Sequence, residues 1–214
     1  MKVFFLILFA CSSVSILPVN AYTDYPGYTR VSDIALFKKE FTVLSAKLNT
    51  IESDFRQEKT LSVLTESITS QGRMWFKREN RIRMDYTSPF VYKMIIRNDK
   101  MMIHDGQRES RVNVNSNKLF QQVNRIMIDC MQGTILDSKD FTLRVFENSK
   151  SYLLEMTPVS KNLKEFFSTI VLIVEKKDSS PISIELNEPS GDKTLITLVN
   201  KTINGILPDE VFSF

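Results

Sequence analysis

Two periodicities divide the chain. After a turn-rich lead-in, "YTDYPGYTR" at 22–30, the apolar residues Val31, Ile34, Phe37, Phe41, Leu44 and Leu48 recur at three- and four-residue steps. That spacing predicts a helix with one apolar stripe, and Ser32 is its expected N-cap. From Ile51 onward the period falls to two, the signature of strands with one buried face. In "MWFKRENRIRMDY", residues 74–86, Met74 and Phe76 point one way and Arg73, Trp75 and Lys77 the other. Past Asn80, Ile82, Met84 and Tyr86 share one face while Arg81, Arg83 and Asp85 share the opposite one. A three-residue connection, Arg78 to Asn80, predicts a hairpin pairing Phe76 with Ile82 and Met74 with Met84. The result is a greasy face, a wet face, and Arg78 on the rim between them.

Alternation continues through "VYKMIIR" and "KMMIHD" on either side of Asn98-Asp99. It then gives way at 116–133, where Leu119, Val123, Ile126 or Met127, and Cys130 return at helical steps and Gly133 is the natural stop. Strand-like runs follow: "DFTLRVFE", "SYLLEMTP", "FSTIVLIVEK", "ISIELNEP" and "KTLITLVN". Asp178 to Pro181 and Pro189 to Asp192 supply turns between them. No repeat or linker interrupts the series. The economical arrangement is one large, mostly antiparallel sheet with two or so helices over its apolar face.

Length and composition narrow this picture. A chain of 214 residues, 43% hydrophobic and 25% charged, fits one folded domain. Residues 1–21 read as a secretory signal: a lysine, a short apolar run interrupted by serines, then "VNA" ending at Ala21. The expected organisation is therefore a leader over 1–21 and a single domain over 22–214. "LFAC", ending at Cys11, loosely resembles a lipoprotein cleavage box, which leaves lipidation at Cys11 as the alternative processing. After cleavage at Ala21 only Cys130 remains, so the exported protein has no internal disulfide. A small buried residue is the expected role of Cys130; the lone His104 has no sequence feature tying it to the thiol.

Candidate chemistry is sparse. The chain has no HExxH, Walker A loop, GxGxxG or GxSxG. The acids Asp99, Asp105, Glu109, Asp137 and Asp140 match no calcium loop. The expectation is a protein that is not an enzyme and needs no metal or cofactor. Arg73, Lys77, Arg81 and Arg83 could form a basic row, but Phe76 and Tyr86 fall on the opposite face and the net charge is only +3. Nucleic acid is not an expected partner; acidic headgroups or an acidic protein suit those charges better in an exported chain. Met74, Met84, Met94, Met101, Met102, Met127 and Met131 lie in or beside the predicted faces. Such soft side chains serve either a core or a surface that accepts variable apolar partners.

Several segments carry a family resemblance. "FRQEKTL" at 55–61, "GRMWFKRENRIRMDYTSPFVYKMIIRNDKMMIHDG", and the run from "NLKEFF" to the terminal Phe-Ser-Phe are similar to the periplasmic lipoprotein carrier family, LolA. The resemblance spans most of 32–214 in the family's order. It implies an incomplete antiparallel β-barrel, or half-barrel, closed by a helical lid, mainly β with α. It further implies a periplasmic chaperone that shields acylated lipoproteins in an apolar cavity. The implied partners are an ATP-driven inner-membrane release complex and an outer-membrane acceptor, and the implied state is a monomer. Together with the apolar rows, it marks Met74, Phe76, Ile82, Met84 and Tyr86 as ligand-binding candidates. The family's rim arginine corresponds to Arg78, implied to latch the lid, and Ile82 takes the place of a cavity residue that influences transfer. Two positions depart from the pattern. Glu79 stands where relatives carry proline, and "QRESRVNV" lacks their usual aromatic. The related lipid-anchored receptor, which displays a protruding apolar loop, and a periplasmic sensor of envelope stress share the fold. No such loop is evident in the sequence.

Overall fold

The structure, a computed structural model, describes residues 25–213 except 65, 79, 98–99, 107 and 114–117. The expected leader with Cys11, the residue Glu79, the Asn98-Asp99 turn and the side chain of Leu119 lie outside the described residues.

Period-two segments become strands as expected. They are β2 (Thr50–Thr60), β3 (Ser67–Lys77), β4 (Arg81–Ser88), β5 (Tyr92–Arg97) and β6 (Lys100–His104); β1 (Thr29–Arg30), at the end of the turn-rich lead-in, and β7 (Glu109–Asn113) join them without having been expected. The second half supplies β8 (Phe141–Glu147), β9 (Ser151–Pro158), β10 (Thr169–Glu175), β11 (Pro181–Asn187) and β12 (Lys193–Ile203). All belong to one antiparallel sheet in the order β1-β8-β9-β10-β11-β12-β2-β3-β4-β5-β6-β7. Strands β1 and β7 are its two ends, so the sheet is an incomplete barrel. Register follows the alternation: Phe76 faces Ile82 and Met74 faces Met84, as the sequence predicts. Gly72 permits the tight β3–β4 approach, since a Cβ there would lie 2.0 Å from the Asp85 carbonyl oxygen.

Three helices cover the inner face: α1 (Ile34–Ser45), α2 (Lys118–Gln132) and α3 (Lys161–Lys164). The α1 start differs from expectation. Asp33, not Ser32, is the N-cap, its Oδ1 accepting the Leu36 N–H at 2.8 Å. Val31 consequently precedes the helix, and its N–H donates to the Val145 carbonyl at 2.9 Å. The short α3 was not foreseen; a single turn is too brief to leave a periodic signal. Inward residues of the strands, Phe37 and Phe41 of α1, and Ile126, Cys130 and Met131 of α2 form one buried core.

The outer face is less wet than the alternation suggests. Trp75, Ile95 and Met102 lie under the C-terminal segment, where Leu207 and Phe212 complete a second cluster and Phe212 is fully buried. A third cluster joins Phe146, Leu153 and Val171 to Tyr25 and Tyr28 of the lead-in. Beside it Glu155 is buried, accepting from the Tyr25 hydroxyl at 2.7 Å and from Arg144 at 2.6 Å.

Candidate functional site

Between the sheet and α2 lies a cavity of about 350 Å³, at the small end of the range typical of ligand pockets. Strand β4 supplies Ile82, Met84 and Tyr86; β5 and β6 add Met94, Ile96 and Met101; α2 adds Val123 and Met127. The wall also includes Leu186, Ile196 and Phe167. Four methionines thus surround the space, and their rotatable thioethers can adapt to differently shaped apolar guests. Of the sequence candidates, Ile82, Met84 and Tyr86 reach this wall. Met74 and Phe76 sit beside them on the same face but are fully buried in the core.

Tyr86 packs between two aromatic rings. Its ring stacks on Tyr92 with centroids 4.0 Å apart and meets Phe55 edge-on at 4.9 Å. Its hydroxyl donates to Gln57 Oε1 at 3.1 Å. Burial, with the neighbouring Tyr92, pushes its pKa up, so it stays a neutral donor.

The lid helices converge on the tip of the β3–β4 hairpin. Arg78 Nη2 donates to the Ser45 carbonyl at 2.6 Å and Nε to the Leu48 carbonyl at 3.0 Å. Its backbone N–H also donates to Asn49 O at 2.8 Å. These acceptors are carbonyls at and just beyond the end of α1, where a cation is favoured; the Ser45 carbonyl also accepts the Leu48 N–H at 3.1 Å. At the same tip Asn80, in the left-handed region with φ 63, accepts from Gln132 Nε2 of α2 at 3.1 Å. The helices also touch directly. Gly133, with φ 76, ends α2 as predicted, and a Cβ there would meet Ser45 at 2.5 Å and Phe41 at 2.8 Å. Arg78 therefore holds one helix, Asn80 the other, and Gly133 lets the two meet.

Neighbouring basic residues act elsewhere. Lys77 and Arg81 donate to Asp209 of the C-terminal segment at 2.5 and 2.6 Å. Arg83 pairs with Asp85 and donates to the Val211 carbonyl at 3.0 Å. Trp75 lies between Arg73 and Arg83, whose guanidinium carbons stand 5.6 and 5.0 Å from its ring.

Cys130 is buried, and burial pushes its thiol pKa up, away from the reactive thiolate. His104 Nδ1 accepts from the Gly106 N–H at 3.3 Å. Among the described residues no cluster of His, Cys, Asp and Glu could hold a metal, and no helix is long and apolar enough to cross a membrane.

The sequence reading missed the cavity's polar side: Gln57, Lys59, Asn124, Glu188 and Thr194. The signal was present in the inward row Ile51, Ser53, Phe55, Gln57, Lys59, which turns polar at one end. It also missed the turn after β4, where Phe90 is 76% and Val91 72% exposed. These two residues form an exposed apolar pair that the alternation gave no reason to expect.

The family model described as outer membrane lipoprotein carrier protein LolA matches residues 46–214. No curated protein matches the chain. Among solved structures, a DUF1329 family protein from Desulfovibrio piger is similar at 11% identity and TM-score 0.50, over 84% of this chain and 97% of that one. MucB is similar at 11% identity and TM-score 0.50, over 84% of this chain and 62% of that one. A LolA superfamily protein from Nitrosomonas europaea aligns at 9% identity and TM-score 0.44, over 84% and 97%. At such identities the likeness concerns the fold alone.

Proposed function

The chain belongs to the outer membrane lipoprotein carrier protein LolA family, and from that membership we propose a periplasmic chaperone. It shields lipoprotein acyl chains in the cavity under α2 and carries them from the inner to the outer membrane. The observation that carries this reading is the methionine-lined cavity of about 350 Å³ under a helix whose end is pinned beside the Arg78 junction. A space of that size suits the closed, empty state, and cargo enters as α2 moves away from the sheet. Because Gly133 brings α2 against Ser45 and Phe41, that movement disturbs the carbonyls bonded to Arg78. Those bonds break on loading and re-form on release, so they favour delivery. Cargo arrives from an ATP-driven release complex of the inner membrane and leaves to an outer-membrane acceptor, with the carrier acting as a monomer.

A two-step transfer assay tests this. Wild type should load lipoprotein from inner-membrane vesicles and unload it to outer-membrane acceptors. Arg78→Leu should load and then unload poorly, while Arg56→Leu, on the exposed outer face, should do both. Equal unloading by wild type and Arg78→Leu removes the latch; failure of wild type to load removes the carrier.

The exposed Phe90 and Val91 favour a second reading, a lipid-anchored receptor of the same fold that touches the membrane with this turn. Mass analysis of the mature N-terminus separates the two. A start at Tyr22 supports the soluble carrier, and an acylated start at Cys11 supports the receptor.

A further inference from the structure

The cavity mouth carries charges that a purely apolar guest would leave unanswered. Gln57 and Lys59 of β2, Thr194 of β12 and Glu188 just beyond β11 line it, whereas Ile82, Ile96 and Met101 line the deeper end along β4 to β6. Thr194 faces Lys59 across β12–β2, and Leu186 faces Thr194 across β11–β12. Leu186 therefore lies two strands from Lys59, roughly 10 Å away at ordinary strand spacing, with Glu188 two residues further along the chain. Neither Lys59 nor Glu188 has a side-chain hydrogen bond or ion pair among the described residues. Asp192, the other acid near Lys59, is already engaged by the Ser62 N–H and hydroxyl, both at 2.8 Å. Lys59 and Glu188 thus set a cation and an anion, neither bonded to another side chain, at the rim of an apolar space.

The other polar atoms at this wall point the same way. Gln57 uses its oxygen to accept from Tyr86, which leaves its amide hydrogens for a guest. Asn124 Oδ1 of α2, which also lines the cavity, is buried without a partner, an acceptor waiting for an N–H or O–H.

We propose that the cavity takes a zwitterionic phospholipid, with an acyl chain among Met84, Met101 and Met127, the phosphate on Lys59 and a primary ammonium on Glu188. This rests on the reading of the cavity as an acyl site and assigns that site a head-group preference. The thioether and amide linkages of an acylated cysteine offer no phosphate to Lys59, so phospholipid is a guest distinct from lipoprotein.

The test is displacement of a fluorescent fatty-acyl probe from the purified protein by lipids sharing one acyl chain. The competitors are lysophosphatidylethanolamine, lysophosphatidylglycerol and monoacylglycerol. Lysophosphatidylglycerol should bind about tenfold more tightly than monoacylglycerol, the scale of one charge-assisted contact, and the zwitterion, with a second contact, more tightly still. Lys59→Gln should abolish the advantage of both phosphate lipids and leave monoacylglycerol unchanged. Glu188→Gln should remove only the margin of lysophosphatidylethanolamine over lysophosphatidylglycerol. Equal affinity for all three heads, or a parallel loss for all three in Lys59→Gln, overturns the head-group assignment while the acyl site stands. If the probe itself does not bind, the acyl reading beneath it fails as well.

Discussion

Arg78 shows how much one side chain can organise. Its fork spans the Ser45 and Leu48 carbonyls, which a lysine ammonium cannot reproduce with the same planar geometry. Arg78→Leu should leave the protein folded but lower its stability by about 1–3 kcal/mol, the scale of losing hydrogen bonds from a charged donor; thermal unfolding measures this directly. Arg78→Lys should fall between wild type and leucine. Cys130 makes the contrasting case. Its thiol is buried and its pKa is pushed up, so iodoacetamide at pH 8 should leave it unmodified in the native protein and label it after denaturation. Cys130→Ser should retain cargo transfer and lose about 1–2 kcal/mol of stability. Loss of transfer with unchanged melting would instead give the thiol a chemical role.

At the level of elements, the β3–β4 hairpin joins the lid on one side to the C-terminal segment on the other. Asp209 receives Lys77 and Arg81, and those bonds hold its carboxyl below the usual carboxylate range. A carboxylate with a depressed folded pKa stabilises above its unfolded value of about 4 and loses that contribution as pH falls through the folded value. Acid should therefore loosen the segment. Trp75, the single tryptophan, packs against the Leu207–Phe212 cluster, so its emission should shift on acidification below about pH 4. Asp209→Asn should show the shifted emission already at neutral pH. Gly72→Ala should disrupt the pairing of β3 with β4, because the added carbon meets the backbone at Asp85. A destabilisation of about 2 kcal/mol or more is expected. These elements differ in how readable they were. The hairpin register was legible, since period-two alternation fixes the faces and the three-residue connection at 78–80 fixes the alignment of Met74 and Phe76 with Met84 and Ile82. The C-terminal segment was not, because no periodicity in "GILPDEVFSF" tells which face of the sheet it covers.

At the scale of the molecule, the large antiparallel sheet and its helical cover followed from where the period changes, and the incomplete barrel from the family resemblance. The cavity wall was legible in part. Inward parity selected Ile82, Met84 and Tyr86, yet the same parity also selected Met74 and Phe76, which sit in the core. Parity identifies a face but not depth under a helix. Depth depends on where α2 crosses the sheet, which the Gly133 contact with α1 helps to set. The central claim is that this space takes acyl chains, and a chain-length series measures it most directly. Binding of saturated fatty-acyl probes of increasing length to the purified protein should be saturable. Affinity should climb by up to about 0.8 kcal/mol per methylene until the cavity is full, and Ile96→Trp should shift that plateau to shorter chains. Binding that is unsaturable, or indifferent to chain length, would contradict the account and make the methionine-lined wall ordinary core.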